Sequence, residues 1–171
     1  LMNLLMSDIL LNSIKFKRPE NIYIDLSKKK IANCTGCFNC WIKTPGRCII
    51  RDDATEIYPI IAQSDKIIYV TKIKYGSYDT TMKTMLERSI PIQQAFIRLY
   101  RGETHHVQRD VKEKDAVIIA YGDISAKDRE VFKKLIERNS RNMLFKNYRL
   151  IFTNANKLER QVEKEVSSWE N

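Results

Sequence analysis

The sequence predicts an α/β fold in which a parallel sheet is covered by helices on both faces. Short runs of β-branched and aromatic residues alternate with amphipathic stretches, which is the pattern of βαβ units. Two of these runs, 65–71 and 115–121, are almost continuously apolar, as expected for strands that are buried on both sides. The length of 171 residues favours one domain, which we expect to span residues 1–171.

The individual elements follow from hydrophobic spacing and from capping signals. Residues 4–15 carry apolar side chains at helical spacing, so they are predicted to form a helix. Asp53 and Glu56 have the spacing of a capping box and predict the start of another helix. The remaining expected elements, in chain order, are strand 21–26, cysteine loop 31–50, helix 53–63, strand 65–71, loop 72–78, helix 79–88, a helix opened by Pro91, strand 115–121, helix 126–143, strand 148–153 and helix 156–168.

Composition and charge exclude several classes of protein. Hydrophobic residues make up 43% of the chain and charged residues 30%, which is a globular rather than a disordered balance. The net charge of +9 comes from scattered Lys and Arg without interleaved aromatic residues, so nucleic-acid binding is not expected. A positive field would instead steer anionic nucleotides toward the protein. The sequence has neither an apolar run of the ~20 residues that a membrane span needs nor the features of a signal peptide. We therefore expect a cytoplasmic protein without membrane contact.

All four cysteines, Cys34, Cys37, Cys40 and Cys48, lie within one predicted loop. Disulfide-stabilised proteins usually distribute their cysteines along a short secreted chain, so this clustering indicates another role. Closely spaced thiolates suit an iron–sulfur cluster such as a 4Fe-4S centre. A zinc site is a second interpretation. A third is a set of reduced thiols in a loop packed by Phe38 and Trp41.

Three stretches together resemble a known family. They are Cys34–Cys48 with the following Asp52 and Asp53, Lys74–Tyr78 with the helix after it, and Gly102–His106. In this order they are similar to the flavodoxin-like NAD(P)H-dependent FMN reductases, including their iron–sulfur flavoprotein branch, over about residues 4–153. The resemblance implies a flavodoxin-like three-layer sandwich. It also implies FMN as cofactor, NAD(P)H as electron donor, a small electron acceptor, and a homodimer or a flavoprotein homologue as partner.

The resemblance also implies which residues would touch the flavin. They are Thr71, Lys72, Ile73, Tyr75, Gly76, Ser77, Tyr78 and Gly122. The four cysteines would be the ligands of an iron–sulfur cluster, and no side chain is expected to act as a catalytic acid or base. The pair His105 and His106 is expected to order its loop through hydrogen bonds.

Two departures from the family pattern shape the expectations. Family members open with a strand and a Gly-Ser-Pro loop whose amides hold the FMN phosphate, and this stretch is absent here. Because residues 4–15 resemble the helix after that loop, we expect the first strand to be missing and the chain to be truncated at its N-terminus. Lys72 also stands where the family has proline. These departures favour an alternative function, a flavin-free homologue that binds a flavoprotein or transfers electrons through its cysteines.

Overall fold

The main sheet is built from parallel strands. The computed structural model describes residues 1–170. The strands of the chain are β1 (Asn3–Ser7), β2 (Asn21–Asp25), β3 (Lys66–Lys74), β4 (Ser77–Tyr78), β5 (Gln93–Tyr100), β6 (Glu103–Gln108), β7 (Lys114–Tyr121) and β8 (Phe145–Thr153). Strands β2, β1, β3, β7 and β8 lie side by side in that order, all parallel, and β4 adds an antiparallel pair to β3. Strands β5 and β6 form a separate antiparallel hairpin.

Helices cover both faces of this sheet, as predicted. The helices are α1 (Asn39–Ile42), α2 (Ala54–Gln63), α3 (Thr80–Glu87), α4 (Ala126–Asn142) and α5 (Leu158–Val166). One core packs α2, α3 and α4 against the side chains of Leu4, Met6 and Tyr69. The second core packs α5 and Trp169 against Leu5, Ile68 and Val70. Alternate residues of β1 and β3 therefore enter opposite cores, which explains why these strands are apolar throughout.

The predicted helix over 4–15 is wrong, and so is the expectation that the first strand is missing. Residues 3–7 form β1, which pairs in parallel with β2 on one side and β3 on the other. Leu4, Leu5 and Met6 are fully buried because both faces of the strand are covered. The apolar residues after the strand belong to the crossover, and their addition to those of β1 imitated a helical spacing. Residues 8–20 connect β1 to β2 without a helix.

Two further expectations require correction. Pro91 opens only a single 3-10 turn, Ile90–Ile92, and the β5–β6 hairpin follows in place of a helix. Residues 72–78 are not a loop, because β3 continues to Lys74 and turns through Tyr75 and Gly76 into β4. Both residues of this turn have positive φ. The other predicted strands and helices are confirmed, with shifts of a few residues at their ends.

The structure also bears on membrane association. Among residues 1–170, none of the helices combines the length and the apolar character that a membrane crossing requires.

Lys114, at the start of β7, is a buried lysine whose ionisation depends on the fold. Its side chain is 1% exposed, and Nζ donates to the carbonyl of Lys112 at 2.6 Å. Burial lowers the pKa of Lys114 from 10.5 to about 8. The unfolded chain holds this proton more tightly than the folded protein does. The stabilisation from Lys114 is therefore fully present above the unfolded pKa of 10.5, where the amine is neutral in both states, and it is lost as the pH falls to about 8.

We predict that the free energy of unfolding of the wild type rises between pH 8 and pH 10.5. That of Lys114→Met should not show this rise. The expected gain is about 3 kcal/mol, from the size of the shift. Urea denaturation at pH 7–10.5 measures it, with the exposed Lys127→Met as matched control, whose curve should stay parallel to that of the wild type. Parallel curves for wild type and Lys114→Met would contradict the prediction.

Two features of the structure disfavour a side chain at Gly76: its backbone conformation and the neighbouring Val131. Its φ is +69°, and a Cβ at this position would lie 2.8 Å from Cβ of Val131 on α4. The Cβ of Val131 is fixed by the backbone of α4 and cannot rotate away. A Cβ at position 76 would therefore have to displace the turn.

We predict that Gly76→Ala destabilises the protein more than Gly102→Ala, by about 1–3 kcal/mol. Gly102 has a similar φ of +80° but open space around it, so its substitution reports backbone strain alone. Thermal denaturation of the two variants isolates the steric part. Equal losses of stability would mean that helix α4 adjusts freely around the turn.

Candidate cysteine cavity and strand-end groove

The cysteine loop is organised by a buried arginine. Arg88 directly follows α3, is 1% exposed, and extends its guanidinium into the loop between β2 and α2. Nη1 donates to Oδ2 of Asp52 at 2.6 Å and Nη2 donates to Oδ1 at 2.9 Å. The same nitrogens donate to the carbonyls of Ala32 and Ile50 at 2.8 and 3.2 Å. One side chain therefore joins both ends of the loop to helix α3.

Asp52 and Asp53 complete this arrangement. Asp52 accepts a hydrogen bond from the amide of Ala32 at 2.8 Å. It also accepts one from the amide of Ala54 at the start of α2, a role that the sequence had predicted for Asp53. The carboxylate of Asp53 turns to the amide of Lys30 instead. Burial alone would raise the pKa of Asp52, but the hydrogen bonds from Arg88, Ala32 and Ala54 outweigh it and hold that pKa below its usual value. Asp52 is therefore ionised at neutral pH, opposite the charge of Arg88.

All four cysteines line one small cavity of about 40 Å³. Its other walls are mostly apolar, with Arg88 at one side; they include Phe38, Ile49, Ile50, Ile90 and Pro91. Cys34 and Cys37 are exposed, Cys40 and Cys48 are half-buried, and all four are free thiols. Sγ of Cys48 lies 3.5 Å from Nη2 of Arg88.

The environments of the thiols differ within this cavity. The amide of Asn39 lowers the pKa of Cys37, whereas burial raises that of Cys40. Gly36 and Phe38 have φ of 65° and 55°, so one left-handed residue lies between each neighbouring pair of the first three cysteines. All of these closely spaced cysteines reach the wall of one cavity.

The donor set fits an iron–sulfur cluster. Four thiols, apolar walls and a buried guanidinium are what a negatively charged, sulfur-ligated group requires. Nε of Arg88 is buried and lacks a hydrogen-bond partner among the described residues. Within residues 1–170, no three His, Cys, Asp or Glu side chains already converge on one point as a metal-binding group. The four thiols would therefore have to move toward one another when a cluster binds.

A groove of about 550 Å³ lies beside the cysteine cavity, at the carboxyl end of β3. Of the predicted flavin contacts, Tyr75, Ser77 and Tyr78 line it, together with Lys74 and Asn33. Tyr75 is 88% exposed, so its ring is free to cover a planar ligand. Glu87 lines both the groove and the cysteine cavity, so the two are adjacent.

The other predicted flavin contacts lie elsewhere. Thr71 and Ile73 are buried within the sheet, and Ile73 belongs to the core under α3 and α4. The side chain of Lys72 lies over Gly122, 3.7 Å from where a Cβ of that glycine would stand. Gly76 is buried in the turn between β3 and β4, with Val131 beside it. The structure therefore brings together only part of the predicted set.

Asp8, which sequence reasoning missed, stands at the centre of the strand ends. Its carboxylate accepts the amide of Lys72 at 2.7 Å, the hydroxyl of Thr71 at 3.1 Å and that of Tyr121 at 2.9 Å. Burial raises the pKa of Asp8 although these three bonds act to lower it, and Asp79 raises it further. The available signal was an acidic residue directly after a buried apolar run, where ligands of parallel sheets bind.

The phosphate of FMN finds no cradle in the described residues. The family pattern places it on free amides and a helix N-terminus after β1. Here residues 8–20 contain no helix, and the amides of Asn12 and Ser13 both donate to Glu159. The amide of Lys17 donates to Glu170. FMN therefore does not fit as a whole, although its ring has the groove available.

The histidine pair has the structural role that its sequence suggested. The ring nitrogens of His105 lie 2.8 Å from Oδ1 of Asn142 and 3.0 Å from Oε2 of Glu103. Nδ1 of His106 lies 2.8 Å from the carbonyl of Gln94, and its ring packs on Trp41 with centroids 4.8 Å apart. The pair joins the β5–β6 hairpin to α4 and to the cysteine loop.

Comparison with known proteins supports the resemblance seen in the sequence. No protein-family model matches the chain. It is 34% identical over 86 residues to an iron–sulfur flavoprotein of Archaeoglobus fulgidus, which is 50% of this chain and 38% of that protein. It is 34% identical over 92 residues to one from Methanocaldococcus jannaschii, covering 54% and 46%. The matched stretches thus span less than half of each relative.

Solved structures extend the similarity to the whole chain. An FMN-dependent NADH-azoreductase from Bacillus anthracis matches with a TM-score of 0.60 and 11% identity, over 100% of both chains. An NAD(P)H:quinone oxidoreductase from Methanothermobacter marburgensis matches with a TM-score of 0.57 and 12% identity, over 94% and 92%. At such identities the similarity concerns the fold alone. The chain thus has the flavodoxin-like fold of the NAD(P)H-dependent FMN reductases, and its sequence relatives are iron–sulfur flavoproteins.

Proposed function

We propose that the chain is an electron-transfer protein of the flavin oxidoreductase class, with an iron–sulfur cluster held by Cys34, Cys37, Cys40 and Cys48. The observation that carries the proposal is the single cavity lined by all four thiols beside the buried Arg88. The names of its sequence relatives support both the cluster and a flavin. The names of its structural neighbours support NAD(P)H as the electron donor.

The residues of the cavity have different roles in binding the proposed cluster. The four thiolates would be its ligands, and the cluster would supply one-electron transfer. Arg88 places a positive charge against the sulfur atoms, and its bonds to Asp52 keep that charge in position. Phe38, Ile49 and Ile90 exclude water from one side.

The neighbouring groove is the proposed place for a flavin ring. Tyr75 offers exposed aromatic surface, and the shared wall at Glu87 keeps the groove next to the cysteine cavity. Because the phosphate half of FMN lacks a cradle, the proposal covers the ring alone. The final electron acceptor is a small molecule in this proposal, as in the quinone and azo reductases of the same fold.

The missing phosphate cradle favours a second candidate. In that candidate the chain carries no flavin and passes electrons between its cluster and a flavoprotein partner. A further observation is compatible with either function: Phe96, Ile97 and Leu99 on the β5–β6 hairpin are 65–79% exposed. A second copy of the chain or a flavoprotein homologue would cover them.

Anaerobic purification followed by absorption spectroscopy tests the proposal. We expect iron and acid-labile sulfide with a broad visible absorbance, and loss of both in Cys40→Ser. Thr44→Ser, a conservative change in the same loop, should retain them. Bound zinc, or a chain that stays colourless after reconstitution with iron and sulfide, would contradict the cluster. Flavin assayed on the same sample separates the two candidates, and light scattering gives the oligomeric state.

Arg88 should be indispensable to the cysteine loop. We predict that Arg88→Met lowers the free energy of unfolding by about 3–5 kcal/mol, because Asp52 and two carbonyls lose their partner. Iron bound per chain should fall with it. Lys83→Met is the matched control, since its pair with Glu87 spans 3.7 Å between exposed side chains and contributes little.

Acid should weaken this ion pair in the wild type. The stabilisation from Asp52 is present above its unfolded pKa of ~3.9 and is lost as the pH falls through the lower folded value. Denaturation at several pH values measures this slope. If Arg88→Met behaves like Lys83→Met at neutral pH, the loop does not depend on the buried guanidinium.

A further inference from the structure

The carboxyl ends of β1, β3 and β7 are tied together by one carboxylate. Asp8 follows β1 directly and accepts hydrogen bonds from Thr71, Lys72 and Tyr121. The strand order reverses between β1 and β3, because β2 is added on one side of β1 and β3 on the other, and ligands of parallel sheets bind in the crevice at such a point. A ligand that reaches the crevice therefore meets a fixed negative charge.

A second carboxylate strengthens this field. Asp79 caps helix α3 through the amide of Thr80 and lines the groove beside Tyr75. It lies close enough to Asp8 to raise the pKa of Asp8. A phosphate at the crevice would thus face two carboxylates, and like charges repel it.

Four backbone amides of the crossover after β1 are already used within the chain. The amides of Asn12 and Ser13 donate to the two oxygens of Glu159 at 3.2 Å each. The amides of Leu11 and Lys17 donate to Tyr23 and Glu170. These amides already serve the chain's own oxygens, so a phosphate would have to displace them.

We propose that the ligand of this groove carries no terminal phosphate: the site takes the uncharged ring system of a flavin and binds riboflavin at least as tightly as FMN. This inference rests on the proposed function for the presence of a flavin and specifies the form in which it is bound. The groove supplies what such a ligand requires, which is the exposed aromatic surface of Tyr75 and the polar side chains of Asn33 and Ser77.

Positive charges near the groove act in the opposite direction. Lys72, Lys74 and Lys83 are exposed, and the chain has a net charge of +9. Mobile surface ammonium groups are screened by salt, whereas Asp8 is half-buried and held by three donors. We therefore assign the net preference to the carboxylate at physiological salt.

Equilibrium titration of the full chain with riboflavin and with FMN, followed by flavin fluorescence at physiological ionic strength, tests the inference. We expect FMN to bind with equal affinity or up to about tenfold more weakly. Asp8→Asn removes the charge but keeps an oxygen for the amide of Lys72, so it should strengthen FMN binding severalfold and leave riboflavin unchanged. Asp115→Asn is the matched control, because this exposed residue lies at the opposite end of β7.

The outcomes separate this inference from the proposed function. FMN binding more tightly than riboflavin would overturn the exclusion of phosphate while supporting a flavin groove. An unchanged ratio in a folded Asp8→Asn variant would overturn the role of Asp8. Failure of both flavins to bind would overturn the groove itself and this inference with it. The wild-type ratio decides the main point even if Asp8→Asn does not fold.

Discussion

The fold depends on the complete burial of one short strand. All five residues of β1 are buried, and the strand pairs on both sides, so it aligns β2 and β3. Its alternating side chains supply both cores, which is why neither layer of helices can pack without it. The same strand ends at Asp8, and the position of β1 therefore also fixes what stands in the crevice between β1 and β3.

The cysteine loop is stabilised by a different kind of interaction. Outside the short helix α1, its backbone has little regular hydrogen bonding, so its ends must be held by side chains. Burying Arg88 and Asp52 carries a desolvation penalty, which is offset only because the charged groups find several partners with good geometry. The pair thus contributes a defined loop conformation more than net stability, and a defined conformation is what a four-thiol site needs.

Sequence patterns predicted the parts of the fold that obey one clear periodicity. The runs at β3 and β7 are apolar and bounded by polar residues, and α4 has one apolar stripe, so all three were predicted correctly. Strand β1 was misassigned because the apolar crossover after it hid the end of the strand. The β5–β6 hairpin was missed because its apolar residues Phe96, Ile97 and Leu99 are exposed and follow no core-facing alternation.

The site was less predictable because its key contacts join distant parts of the chain. The cysteines were found because four thiols in one loop form a local pattern, and the structure places them around one cavity. Arg88 reaches Asp52 across 36 positions, and Asp8 reaches Lys72 across 64. Neither pairing leaves a local pattern, so both required the fold. All but one of the predicted flavin residues lie between 71 and 78, but alternation along β3 buries Thr71 and Ile73 while it exposes Lys72 and Lys74.

The two halves of the site depend on separate supports, and this separation has a consequence for function. The cysteine cavity is held by Arg88 and Asp52, and neither residue belongs to the crossover after β1. The crossover is closed by Glu159 and Glu170 from the other face of the sheet. A change in the crossover therefore removes the phosphate cradle without disturbing the thiols or the groove that shares Glu87 with them. A chain built in this way would keep the proposed electron-transfer centre and would hold the proposed flavin through its ring alone.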